Sequence, residues 1–148
     1  MISSDYEELF GILNTYKVKY LVVGAHAVMF YTQPRFTKDM DVWIPAALND
    51  PKRVYEALKA FGAPVGGMTP EDFKDSRMIF QIGVAPVRID IMIGLPGVSV
   101  GAAWKNRKPS RYGNTPISIL GREELIQAKN TSGRPQDKID LTKLLKRK

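Results

Sequence analysis

The chain has no cysteine and a single histidine among its 148 residues. The lack of cysteine removes a disulfide framework, a thiol nucleophile and any cysteine-ligated zinc. The lone imidazole, His26, reads as a capping or core-edge group rather than a general base. Long hydrophobic runs are also missing. No segment is apolar enough to span a bilayer, and Met1–Glu7 lacks the basic and apolar regions of a secretion signal, so the expected location is cytoplasmic. No internal repeat or low-complexity tract is present. What remains, 148 residues with 44% hydrophobic content, suffices for one compact domain spanning residues 1–148.

Negative charge is scarce in the last third. Residues 1–100 carry ten Lys/Arg against eleven Asp/Glu, whereas residues 101–148 carry twelve against four, so the whole net charge of +7 arises after Val100. Such asymmetry offers a surface for a polyanion such as RNA, since each neutralised phosphate releases counterions. The competing reading is a solvated helix end, Lys146-Arg147-Lys148.

Hydrophobic spacing and cap residues predict alternating helices and strands. Ser4 and Glu7 have capping-box spacing before Tyr6, Leu9, Phe10, Leu13 and Tyr16, giving a first helix that packs. Tyr20–Val23 reads as a strand closed by Gly24, with a helix from Ala25 to about Tyr31. Met40–Ile44 is a second strand. Asp50-Pro51 is an N-cap and first-turn proline for a helix ended by Gly62, and Thr69-Pro70-Glu71 starts a short helix or turn. Met78–Ile82 and Val87–Ile93 flank a Gly83–Pro86 loop as a hairpin. Leu95–Tyr112 reads as a short helix and a basic loop, and Ile117–Leu120 as an edge strand. Arg122 to about Lys129 forms a helix, and a final helix from about Pro135 bears Ile139, Leu141, Leu144 and Leu145. The fold class is α/β (α+β), a mixed sheet flanked by helices.

The chemistry concentrates in three places. Asp39 and Asp41 are two apart at the start of a strand and project from one face, and Asp90 is the charged member of a near-continuous apolar strand. Carboxylates on neighbouring strands repel unless a cation lies between them. Mg²⁺, a hard ion commonly held by a few carboxylates together with substrate phosphates, suits that place, and a nucleotide is then the natural substrate. Gly24, between a strand and a helix N-terminus, lets a phosphate approach free backbone N–H groups. Each piece alone has a structural explanation: turn-capping carboxylates, a strand-ending glycine, an edge charge. Their order in one chain is harder to explain that way.

Gly24-Ala25, the run Arg35-x-Thr37-x-Asp39-x-Asp41, the Asp90 strand, Glu124-Leu125-Ile126-x-x-Lys129 and Gly133-Arg134-x-x-Asp137-x-x-Asp140 together resemble the nucleotidyltransferases of polymerase-β type, most nearly those related to AbiEii-type toxins. The resemblance covers nearly the whole chain. It departs at Ala25 and His26, where the family carries a second Gly or a Ser and then a small hydroxyl residue. It implies the nucleotidyltransferase fold and transfer of a nucleotidyl group from an NTP to an acceptor, with Mg²⁺ or Mn²⁺ held by Asp39, Asp41 and Asp90: one ion on Asp39 and Asp41, and a second site completed by Asp90. Gly24, Ala25, Arg35, Thr37, Lys129 and Asp137 would serve the nucleotide. Trp104, beside Lys105 and Arg107, reads as packing or as a platform for a base. The acceptor classes implied are an RNA or tRNA end, a protein hydroxyl or a small molecule, and the partners a cognate toxin or antitoxin. The alternative is a catalytically degenerate binding or antitoxin-like protein that keeps the fold.

Overall fold

A computed structural model describes residues 3–37, 39–83 and 87–146. Helix α1 (Ser4–Thr15) is capped by Ser3, whose Oγ accepts from the Tyr6 N–H. The cap therefore lies one residue before the predicted box. Glu7 reaches away from the helix instead, accepting from the Asn114 N–H at 2.9 Å and the Thr115 hydroxyl at 3.3 Å. Strand β1 (Leu21–Val23) runs directly into α2 (Gly24–Tyr31), and β2 (Asp39–Trp43) follows. Asp50 caps α3 (Pro51–Phe61) through the Lys52 N–H, and Gly62 ends it in a left-handed conformation, as the sequence predicts.

A short 3-10 turn at Pro70–Lys74 precedes β3 (Ile79–Ile82) and β4 (Arg88–Met92), which pair antiparallel as the predicted hairpin requires. Residues 84–86 of the predicted connection lie outside the described residues. Helix α4 (Val100–Lys105) leads into β5 (Lys108–Tyr112) and β6 (Thr115–Ile119).

This last pair corrects two readings. The sheet order is β3-β4-β2-β1-β6-β5, so β6 is interior and β5, predicted as loop, is the edge. Ile117 and Ile119 are buried and Ile119 pairs in parallel with Val22, whereas Lys108, Pro109 and Arg111 face solvent. A charged, proline-bearing strand suits an edge because it discourages further pairing, and for the same reason it lacks apolar alternation.

Helix α5 (Arg122–Ser132) runs beyond Lys129 to Gly133, and α6 (Pro135–Lys146) packs against it. The buried face of α6 is mostly polar. Asp137 and Asp140 are fully buried with Leu144, while Ile139 and Leu145 are more than half exposed. Hydrophobic spacing misplaces this face because aspartates, not aliphatics, form it. Helix α2 packs on β1 and β2 and touches α5 and α6, whereas α1 packs on α3 and β6. No helix among the described residues is long and apolar enough to cross a membrane.

Candidate active site

Strand register assembles the acidic wall. β1 and β2 are antiparallel with Val23 opposite Asp41, and β2 and β4 are parallel with Asp41 opposite Asp90 and Asp39 opposite Arg88. Asp41 and Asp90 therefore lie side by side on adjacent strands, both lining a cavity of about 410 Å³. Gly24 lines the same cavity, and its role is more specific than close approach of a phosphate. It has φ +66°, and a Cβ there would lie 2.0 Å from Asp41 Oδ2. The missing side chain makes room for the carboxylate itself. Val23, the α2 cap residue, offers no side-chain acceptor, so the first N–H groups of α2 have none from that source.

The opposite wall is helical. Lys129, near the end of α5, is buried and places Nζ 3.0 Å from Asp137 Oδ1 and 3.0 Å from Asp140 Oδ2. Gly133 turns the chain with φ +63°, after which the Arg134 N–H and Nε both donate to Asp137 Oδ2, at 3.1 and 2.9 Å. Arg35 is drawn to the far side of this network, with its guanidinium on both oxygens of Asp140. Thr37 bonds through its hydroxyl to the Asp39 backbone.

The predicted nucleotide residues thus separate. Gly24, Lys129 and Asp137 line the cavity, joined by Arg134; Ala25, Arg35 and Thr37 do not. Arg35 ties the loop before β2 to α6, and Asp137 holds Lys129 and the α5–α6 turn. Apolar lining comes from Val23, Ile79, Met92, Leu95, Pro96, Leu125 and Ala128.

The electrostatics of the two walls differ. The Asp41 carboxyl is pushed up to about 6, first by burial and then by the charges of Asp90 and Asp39, with Lys129 and Arg134 opposing. Burial acts on Asp137 in the same sense, but hydrogen bonds from Arg134, Ser132 and Lys129 win and hold its carboxyl well below the usual range. Asp140 is likewise lowered against burial, by Arg35, Gln136 and Lys129.

Among the described residues, no group of three His, Asp or Glu side chains closes into a metal-binding cluster. Asp41 and Asp90 nevertheless fit a divalent cation. They are hard oxygen donors in register, and Asp41 accepts no hydrogen bond and makes no ion pair among the described residues, consistent with gathered negative charge. Asp39 lies one pleat away and pairs with Arg88 at 3.7 Å.

The sequence reading assigns no role to Arg88, and names Arg134 only within the family pattern. The Arg88-x-Asp90 spacing on one strand carries the signal for the first, because residues two apart share a face. Arg134, with a side chain 73% exposed, follows the helix-ending Gly133. Trp104 is half-buried, and the Arg107 guanidinium lies 3.9 Å over its ring, covering a face that a base would need. His26 sits edge-on to Tyr6 with its pKa lowered by burial, a core-edge imidazole as expected.

No protein-family model and no curated protein matches the chain. Solved structures do. The antibiotic-resistance factor ANT(2'')-Ia superposes with a TM-score of 0.65 at 9% identity, over 97% of this chain and 82% of that one. A lincosamide antibiotic adenylyltransferase, solved with lincomycin bound, gives 0.55 at 20% identity over 97% of each chain. An antigenic nucleotidyltransferase-like protein from Paracoccidioides brasiliensis gives 0.57 at 16% identity, over 97% of this chain and 77% of that one. The shared property is the fold: a mixed sheet with flanking helices, of the nucleotidyltransferase type.

Proposed function

We propose that the protein is a metal-dependent nucleotidyltransferase that moves a nucleotidyl group from an NTP to an acceptor hydroxyl and releases pyrophosphate. One observation carries this reading. Asp41 and Asp90, in register on adjacent strands, face Lys129 and Arg134 across a single cavity, in a fold shared with nucleotidyltransferases. Asp41 and Asp90, with Asp39 at their flank, would hold Mg²⁺ or Mn²⁺, which when bound neutralises the triphosphate and polarises the reacting groups.

The chain's own residues supply the rest. Arg134 presents an exposed guanidinium to the phosphates, and Lys129 adds a positive field from the cavity wall. The acceptor oxygen would attack the α-phosphorus, the bond to pyrophosphate would break, and the hydroxyl proton would pass to Asp90. The apolar lining from Leu95, Pro96 and Leu125 suits a base, a sugar face or an acceptor body.

The acceptor classes are an RNA or tRNA end, a protein hydroxyl or a small hydroxylated molecule. Exposed Lys105 on α4, Arg107 in the following turn and Lys108 and Arg111 on β5 support RNA. A toxin–antitoxin role and a cognate partner rest on the sequence resemblance. The degenerate reading draws on a specific observation as well: Lys129, Arg35, Arg88 and Arg134 are all engaged by carboxylates of this chain. The test incubates the protein with each of four α-labelled NTPs and Mg²⁺ or Mn²⁺, against total RNA, the protein itself and a panel of hydroxylated small molecules. Label transfer that is lost in Asp41→Asn supports the enzyme; NTP binding without transfer to any acceptor supports the degenerate protein.

A further inference from the structure

The acidic wall already contains a cation of its own. Arg88 stands on β4 two residues before Asp90 and in register with Asp39 on β2, so strand geometry sets its guanidinium between the two carboxylates. Its Nε lies 3.1 Å from Asp90 Oδ1 and 3.7 Å from Asp39 Oδ1, and Nη2 lies 3.2 Å from Asp90 Oδ2. The Tyr6 hydroxyl donates to the Arg88 carbonyl at 3.1 Å, which fixes the start of β4 against α1. Asp41 makes no such pair among the described residues.

The charge count then has a consequence. Asp39, Asp41 and Asp90 carry three negative charges when ionised, which two divalent ions could share; with Arg88 included the cluster is left with two, which a single divalent ion balances. Resting on the metal-site reading above, we infer that Arg88 occupies the position a second metal ion would need, so that this site takes up one divalent ion, at Asp41, rather than two. Arg88 is in this sense a positioning residue. It draws Asp39 away from the metal and keeps the Asp90 carboxylate oriented beside Asp41. The guanidinium fork suits this task because it engages both oxygens of one carboxylate while reaching the other.

The experiment counts Mn²⁺ bound to the nucleotide-free protein by electron paramagnetic resonance, for the parent, Arg88→Ala, Arg88→Lys, Arg88→Ala/Asp90→Asn and Asp41→Asn. The parent should bind one ion per chain at this site and Arg88→Ala two, with the spin coupling of ions a few ångströms apart. Arg88→Lys, which restores a cation, should return to one, as should the double variant. Two ions in the parent, or equal numbers in the parent and Arg88→Ala, would overturn the inference. If Arg88→Ala fails to fold, Arg88→Gln takes its place with the same expectations. Uptake that depends on Asp41 but ignores Arg88 sinks the inference alone. Uptake that Asp41→Asn leaves unchanged, or no uptake by any variant, sinks the metal-site reading and the inference with it.

Discussion

Two pairs of aspartates serve this site from opposite sides, and their circumstances are reversed. Asp137 and Asp140 on α6 are fully buried, yet each is surrounded by donors and stays ionised. Asp41 and Asp90 on the strands are partly open, and Asp41 faces like charge instead, its carboxyl raised to about 6. Burial depth therefore does not tell these two kinds of carboxylate apart. The neighbours do: donors surround the carboxylates that lock the helical wall, whereas Asp41 on the strand wall has like charge beside it and no hydrogen-bond or ion-pair partner among the described residues.

The largest blow to this contrast should come from Asp140→Asn. It removes the charge that both Arg35 and Lys129 engage, and loss of one partner from a buried ionic network costs about 3–5 kcal/mol. Urea unfolding at pH 7.5 measures it. Because the Asp140 carboxyl is lowered, its contribution is present above the unfolded value and fades as the pH falls through the folded one, so parent and variant should converge in strong acid.

Gly24→Ala comes next. A methyl group 2.0 Å from Asp41 Oδ2, on a backbone at φ +66°, should destabilise by about 2–3 kcal/mol and displace Asp41. Mn²⁺ affinity should fall with it. Unchanged stability and Mn²⁺ binding would show that the turn relaxes freely.

Asp41→Asn should act in the opposite direction in metal-free protein. A carboxyl raised from 3.8 to about 6 by folding contributes stability that is fully present below the unfolded value and is lost as pH rises through about 6. The asparagine never ionises, so the variant should gain on the order of 2 kcal/mol at pH 7.5 with EDTA and nothing at pH 3 or below. It should at the same time lose nucleotidyl transfer. Thermal or urea unfolding at the two pH values decides between this account and a carboxylate that is satisfied after all.

Arg134→Gln should change stability least, by less than about 1 kcal/mol, because the guanidinium is mostly exposed and Asp137 keeps Lys129. NTP affinity should nonetheless drop severalfold. Titration with each NTP, beside unfolding, separates the two effects.

The strand wall was legible in the sequence because its logic is local. Two-residue spacing put Asp39 and Asp41 on one face, the apolar run around Asp90 marked a strand, and Asp50, Pro51 and Gly62 bounded α3. The helical wall was only half legible. Lys129 and Asp137 could be singled out, but Arg35 and Asp140 pair across 105 residues, a relation no window along the chain contains. Edge strand β5 escaped because Lys108-Pro109-Ser110-Arg111 buries no alternating face. Arg88 was only partly legible: its spacing from Asp90 is local, but its pairing with Asp39 depends on the register of β2 against β4.

The tie between Arg35 and Asp140 also bears on how the molecule opens. Strands β2 and β4 align their aspartates without help from α6, whereas Lys129 has its partners only while α6 is docked. The cavity is thus completed by α6, and a transient release of α6 from the folded protein would open the helical wall while leaving the sheet intact. Amide exchange in α6 faster than in β1, β2 and β4 would register that opening as a separate, smaller unfolding unit.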